Sequence, residues 1–308
     1  MGTTKADLAI FGTGAMACLF ASRLTAAGVQ LMMVGTWTEG INALHEAGIL
    51  VVEVSGEERG YPVRVTTDPS DCAGVEHALV LVKSWQTERV ARQLAACLSP
   101  IGLALTLQNG DGNYEVLASH LGEPRVALGT TTAGATLIGP GKVRPGGEGV
   151  VSLGIHARLR PLAAMLVQAG FIVETVPDIQ SLHWGKLVIN ASINPLTALL
   201  RIPNGELLNR EPARSLMASL AREAAAVAVA RGIRLPYDDP VSAAEAVARR
   251  TSANFSSMFQ DVLRGAPTEI DAICGAVVRA AEQKGIAVPV NHTLWLLVKS
   301  IARSGGVN

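Results

Sequence analysis

The first half of the chain alternates short apolar runs with amphipathic stretches, the texture of a parallel sheet flanked by helices. Residues 8–11, 30–34, 78–82, 103–107 and 125–128 are apolar runs of strand length, and 150–154 and 171–175 supply two more. Between the first two strands, residues 15–27 have the length of a helix and Gly28 follows as its C-terminal cap, which makes a βαβ unit. Beyond Val176 the period changes. Long Ala/Leu/Val-rich stretches with Arg and Glu at helical spacing predict helices over 214–230, 241–249 and 269–284. The boundary is therefore expected near Val176, with an α/β domain built on a predominantly parallel sheet over residues 1–176 and an all-α domain over 177–308. The segment 139–149, GPGKVRPGGEG, reads as an exposed hairpin or loop.

Composition agrees with two folded domains: of 308 residues, 49% are hydrophobic and 17% charged, enough apolar surface for a core and too much for a disordered chain. Twenty-six basic and 26 acidic side chains cancel, which argues against a nucleic-acid partner or an anionic membrane surface and points to a small, locally recognised ligand. Cys18, Cys72, Cys97 and Cys274 are widely spaced, and the six histidines lack metal-ligand spacing, so no metal site is expected. The N-terminus shows no secretory pattern, Met1-Gly2 lacks the Ser or Thr at residue six that acylation wants, and no apolar run reaches about 18 residues. A cytoplasmic protein is the expectation.

Chemistry enters at Gly12-Thr13-Gly14-Ala15-Met16-Ala17, a G-x-G-x-x-A run directly after the first strand and opening the first helix. Gly12 permits the tight turn, Gly14 lets the main chain approach a pyrophosphate, and the helix N-terminus faces the phosphates. An ordinary β–α turn would also want glycine. Strand, motif, helix and second strand in the right order favour dinucleotide binding in a Rossmann-type domain. The second strand ends in Val34-Gly35-Thr36-Trp37-Thr38, with neither the acid that grips an NAD ribose nor an Arg for a 2′-phosphate. The lack of an acid favours NADP, held by Thr36, Thr38 and backbone amides, with NAD as the other candidate.

In the second half Lys186, Asn190 and Asn194 recur every four residues, one polar stripe on a helix otherwise rich in Leu, Val and Ile. Such a stripe suits a cleft better than a solvated face. Pro195 cannot donate to the carbonyl of Ala191, so a kink or an end of the helix is expected there. His183 is most simply a helix-entry or packing residue. Thr268 and Asp271 have the spacing of a capping box, which puts Glu269 in a first helical turn, where it could merely complement the dipole. Lys83-Ser84-Trp85-Gln86 and Gln108-Asn109-Gly110 follow strands of the first half, at the carboxyl ends where open α/β sheets bind ligands.

These segments together resemble the ketopantoate reductase family. GTGAMA, LVKSWQT, LQNGDG, WGKLVINASINPLTAL, IPNGEL, SSMFQD and PTEIDAICG occur in the family's order along nearly the whole chain. The resemblance implies a Rossmann-type N-terminal domain and a helical C-terminal domain like that of 6-phosphogluconate dehydrogenases. It also implies NADPH-dependent reduction of ketopantoate, a 2-keto acid, in pantothenate biosynthesis. Lys186 would be the catalytic general acid and Glu269 would orient it and hold the substrate hydroxyl. Asn190, Asn194, Asn204 and Ser257 would contact substrate, with Lys83 and Asn109 where cofactor and substrate meet. The chemistry is consistent: hydride arriving at C2 leaves negative charge on the carbonyl oxygen, which an ammonium stabilises and protonates. Alternatives are a related enzyme acting on another branched 2-keto acid or D-2-hydroxy acid, a member of the broader 3-hydroxyacid dehydrogenase group, and a non-catalytic dinucleotide sensor. The Ala-rich helices would suit a homodimer face as well as a core.

Overall fold

The computed structural model describes residues 6–53 and 55–302; the reading of residues 1–5 as free of a targeting or acylation signal concerns residues outside these. The chain divides into two compact units, Met1–Gln108 with Asn113–Ile179, and Asn109–Gly112 with Gln180–Asn308. The division falls just beyond Val176, and the excursion at 109–112 was not anticipated.

The first unit contains, in chain order, β1 (Leu8–Phe11), α1 (Ala15–Ala26), β2 (Leu31–Val34), α2 (Thr38–Ala47), β3 (Ile49–Val52), β4 (Glu58–Tyr61), β5 (Arg64–Thr66) and β6 (Val75–Val80). It continues with α3 (Thr87–Cys97), β7 (Leu98–Thr106), α4 (Asn113–Leu121), β8 (Val126–Thr131), β9 (Ala135–Gly139), β10 (Lys142–Pro145), β11 (Val150–Gly154), α5 (Arg160–Gln168) and β12 (Ile172–Val176). An eight-stranded sheet has the order β12-β11-β8-β7-β6-β1-β2-β5. Its pairs are parallel except β8 with β11. Both faces of β1 are buried, which is why it is apolar at every position: Leu8 and Ile10 join one core with Phe20 and Leu105, while Ala9 and Phe11 join another with Val80 and Leu94. The strand order reverses between β1 and β6, the switch point at which such sheets open a crevice for a ligand.

Five short strands escaped the sequence reading. β3, β4, β9 and β10 form a second, four-stranded sheet, and β5 edges the first. The segment 139–149 is part of a hairpin as one of its two readings had it, β10 pairing antiparallel with β9, but not a simply exposed one: β10 also pairs parallel with β3, and Val143 is fully buried. Strands this short take their conformation from their partners, and the exposed Glu58–Tyr61 carries no apolar alternation to reveal it.

The second unit is helical: α6 (Ile179–Leu200, beginning at the division), α7 (Glu206–Asn209), α8 (Glu211–Ala230), α9 (Pro240–Arg250), α10 (Ser257–Leu263), α11 (Cys274–Lys284) and α12 (Pro289–Ala302). Trp184, Val188 and Leu196 of α6 pack with Met217 and Leu220 of α8 and with Val277 and Val298 in one core. Of the two outcomes expected at Pro195, an end is not met: α6 runs on to Leu200 with the proline inside it. The thiol of buried Cys274 donates to the Ala191 carbonyl that Pro195 leaves without its helical partner, at 3.8 Å.

The predicted helix over 269–284 also needs correction. Helix α11 starts only at Cys274; before it, the amides of Ala272 and Ile273 both donate to the Glu269 carbonyl at 3.0 Å, closing a separate turn. Thr268 caps nothing, its buried hydroxyl having no partner among the described residues, so the capping-box reading fails. Burial of Ile270 and Ile273 holds the turn instead.

The start of α12 is capped from another helix. Glu223 of α8 accepts from the amides of Val290 and Asn291 at 2.9 and 2.8 Å and from the Asn291 side chain at 2.9 Å. Glu223→Ala strands these donors and is expected to lower unfolding free energy by about 1–3 kcal/mol, with Glu223→Gln losing less. Urea denaturation checks it; equal stability of Glu223→Ala and parent would refute the capping role.

Candidate active site

The β1–α1 turn meets the requirements of a pyrophosphate cradle. Gly12 has φ +135°, and a Cβ there would lie 3.1 Å from the Leu81 backbone, so only glycine lets the ends of β1 and β6 approach so closely. A Cβ on Gly14 would meet nothing within 4 Å, and Gly14 is the N-cap of α1 without a side-chain cap. Space thus lies open beside the N-cap of α1, and no side chain caps the helix there, which suits an anion. Thr13 is buried, with its side chain under Gly35 at the end of β2, so it can offer a ligand only its backbone. Ala15 and Met16 occupy the first turn of α1, half-buried. Beyond β2, Thr36, Trp37 and Thr38 are exposed, and the Trp37 ring lies against Gly40.

Lys83 follows β6, half-buried, and leads into a short 3-10 turn. A buried amide network stiffens this region: Gln108 donates to the Val82 carbonyl at 3.0 Å and to the Thr87 hydroxyl at 2.8 Å, and Thr87 donates to Asn113 at 2.7 Å. Gln108 is thereby the joint between the segments after β6 and β7.

In the helical unit, His183, Lys186, Asn190 and Asn194 share one face of α6. Lys186 and Asn190 are half-buried and Asn194 is buried. Removal from water pushes the Lys186 ammonium from its ordinary 10.5 down to about 8, while the carboxylate of Glu269 pulls it upward. Glu269 is buried in its turn, and the Asn109 amide makes a long contact of 3.5 Å to its Oε2. Asn109 comes into reach because the 109–112 loop packs on that same turn: the Asp111 amide donates to the Ala272 carbonyl at 2.8 Å, and a Cβ on Gly110, whose φ is +81°, would sit 2.5 Å from Ala272.

Asp111 holds the loop from the other side. Its carboxylate meets His183 Nε2 at 3.3 Å and Arg231 Nη1 at 3.0 Å, and the Arg231 guanidinium lies 4.7 Å from the centre of the buried Trp184 ring. Burial alone would raise the Asp111 pKa; the His183 hydrogen bond and the Arg231 charge outweigh it and hold the carboxyl below its ordinary value. Asn204 is buried and donates to the Thr251 hydroxyl at 2.9 Å, while its Oδ1 has no partner among the described residues. Ser257 opens α10, half-buried, whereas its neighbour Ser256 is the buried N-cap, accepting from Phe259 N at 3.1 Å and from the Thr197 hydroxyl at 2.7 Å.

Residues 8–158 match the model of the family described as ketopantoate reductase PanE/ApbA, and residues 178–302 match its C-terminal model. The chain belongs to the ketopantoate reductase family. It is 36% identical over 299 residues to the 2-dehydropantoate 2-reductase of Halobacterium salinarum, covering 96% of this chain and 98% of that one. It is 33% identical to that of Vibrio cholerae, covering 97% and 98%. The crystal structure of a PanE/ApbA family ketopantoate reductase from Ralstonia eutropha superposes with a TM-score of 0.90 at 32% identity, covering 97% of this chain and 99% of that one. D-mandelate dehydrogenase, solved with NADH and anilino(oxo)acetate, gives 0.91 at 25% identity and the same coverage.

In this ketopantoate reductase family member, the structure brings Asn109, Lys186 and Glu269 together within the helical unit. The sequence placed Gln108 in a candidate ligand loop without its role as a joint, and Asp111 and Arg231 were not singled out. Gln108 and Asp111 flank the Asn-Gly pair and look like loop residues, and nothing local in the sequence ties position 231 to position 111. His183 proves to be a partner of Asp111 rather than a packing residue only. Gly110→Ala combines a disfavoured φ with the Ala272 clash and is expected to cost about 1–3 kcal/mol of stability. Thermal unfolding beside the parent tests this, and an unshifted midpoint would contradict the loop packing.

Proposed function

We propose that the chain is a 2-dehydropantoate 2-reductase, reducing ketopantoate to pantoate with NADPH. The observation that carries the reading is Lys186: a lysine on a largely buried helix, desolvated until its pKa is about 8 and held protonated by Glu269. An ammonium with a pKa near operating pH is well matched to general-acid work. When bound, the nicotinamide cofactor supplies the hydride that C2 of the keto acid accepts. Lys186 stabilises the charge growing on the carbonyl oxygen and gives up its Nζ proton to it, leaving a neutral amine that solvent reprotonates. Glu269 keeps the ammonium charged before reaction and offers an acceptor to the substrate's remote hydroxyl. The resemblance adds Asn204 as a substrate contact, and its Oδ1, buried and without a partner among the described residues, would accept once exposed to a ligand. Asn190, Asn194 and Ser257 add donors that do not titrate near neutrality.

Gly12, Gly14 and the first turn of α1 would hold the pyrophosphate, with Lys83 and Asn109 toward the nicotinamide. NADPH rests on the exposed Thr36 and Thr38 and the absence of an acid at the end of β2. NADH has one observation in its favour, Glu39 in the first turn of α2, whose exposed carboxylate would accept from ribose hydroxyls and repel a 2′-phosphate. A second substrate reading, oxidation of a D-2-hydroxy acid, draws on the likeness to D-mandelate dehydrogenase.

Steady-state assays of ketopantoate, other branched 2-keto acids and D-2-hydroxy acids, each with both cofactors, separate these readings. Preference for ketopantoate with NADPH is expected; turnover of D-mandelate alone would overturn the assignment. Lys186→Ala should lower kcat by about 10²–10⁴-fold. Because the acid must be protonated, kcat for reduction should fall as pH rises through about 8; undiminished turnover in Lys186→Ala would remove the lysine from the mechanism.

A further inference from the structure

The ketopantoate reductase reading does not explain why a charged carboxylate sits half-buried at position 111 between His183 and Arg231. Its side chain keeps only 14% of its exposure, and Arg231 and His183 approach its two oxygens from the end of α8 and from α6. Withdrawing most of such a group from water costs free energy, and an apolar contact could hold a loop on a helix as firmly, so adhesion alone is a poor account of it. Direction is what the charged contacts add. A carboxylate with one oxygen on His183 and the other on Arg231 has its orientation fixed as well as its position.

We propose that Asp111 is a positioning residue of the reductase site, aligning Asn109 and, through it, Glu269 against Lys186; the inference rests on the reductase reading above. Three ties converge. His183 stands one helical turn from Lys186 on the same face of α6, so the carboxylate of Asp111 registers the loop to the helix that carries the proton donor. The Asp111 amide binds the Ala272 carbonyl, in the turn that carries Glu269. Asn109, two residues before, contacts the Glu269 carboxylate itself. One residue thus references the loop both to the helix of the acid and to the turn of its counter-ion, and Gly110, with no Cβ and a positive φ, lets the loop lie flat on that turn.

The test compares the full-length parent with Asp111→Asn, Asn109→Ala and the double variant, by steady-state reduction of ketopantoate and by amide hydrogen exchange. Asp111→Asn is expected to lower kcat by about ten- to a hundred-fold, the scale of losing alignment by a fraction of an ångström, while KM changes less than about threefold. In the Asn109→Ala background the same substitution should cost less than about twofold, because it acts through Asn109. Exchange at residues 109–112 and 269–273 should quicken at least about tenfold in Asp111→Asn. Additive losses in the double variant, a rise in KM with kcat unchanged, or undisturbed exchange would each overturn the proposal. Should Asp111→Asn not fold, Arg231→Gln, which removes one partner, carries the same comparison with the same outcomes. A parent inactive on every keto acid would refute the reductase reading, and the exchange measurement would still decide whether Asp111 holds the loop to the Glu269 turn.

Discussion

On the proposed reductase reading, the chemistry of the chain depends on a balance at one nitrogen. Burial among the apolar residues of α6 drives the Lys186 ammonium toward neutrality, and the Glu269 carboxylate opposes that drift, leaving a group that titrates near 8. Without the burial, Lys186 would be an ordinary surface lysine too weak an acid to share its proton. Without the carboxylate, desolvation would act unopposed and the ammonium would titrate at lower pH. Much of the helical unit can be understood as sustaining that balance. The core of Trp184, Val188 and Leu196 keeps water from α6, and the turn at 269–273 fixes Glu269 by burying Ile270 and Ile273.

The two units divide the work in a way their architectures explain. A parallel sheet gathers strand ends at a switch point, which favours a Gly-rich turn and an anionic ligand; a helix bundle presents stripes of side chains, which favours a set of polar groups in register. Gly12 and Gly14 contribute by lacking side chains, and Lys186, Asn190 and Asn194 contribute by where theirs project. The loop 109–112 departs from this division. It follows a strand of the sheet in sequence and belongs to the helical unit in packing.

What could be read in advance follows the range of the forces involved. The buried strand β1, the glycine turn and the polar stripe of α6 are periodic or local, so residue spacing displayed them. The ketopantoate reductase motifs paired Lys186 with Glu269, and the structure sets the two within electrostatic reach, whereas the local capping pattern around Thr268 suggested a helix that does not begin until Cys274. The pattern misled because Ile270 and Ile273 are drawn into the core while the Thr268 hydroxyl caps nothing among the described residues. Which of a kink or an end Pro195 produces was not decided locally, since the thiol that serves the Ala191 carbonyl comes from position 274. The Asp111–His183–Arg231 cluster joins three distant stretches of chain, and no window of sequence contains it.

The balance at Lys186 is tested most directly by the pH dependence of kcat for ketopantoate reduction in Glu269→Gln beside the parent, since this substitution removes the opposing charge and keeps the shape. The account predicts a high-pH fall centred near 8 in the parent and displaced to lower pH in the variant. A fall at the same pH in both proteins, or displaced upward in the variant, would contradict it.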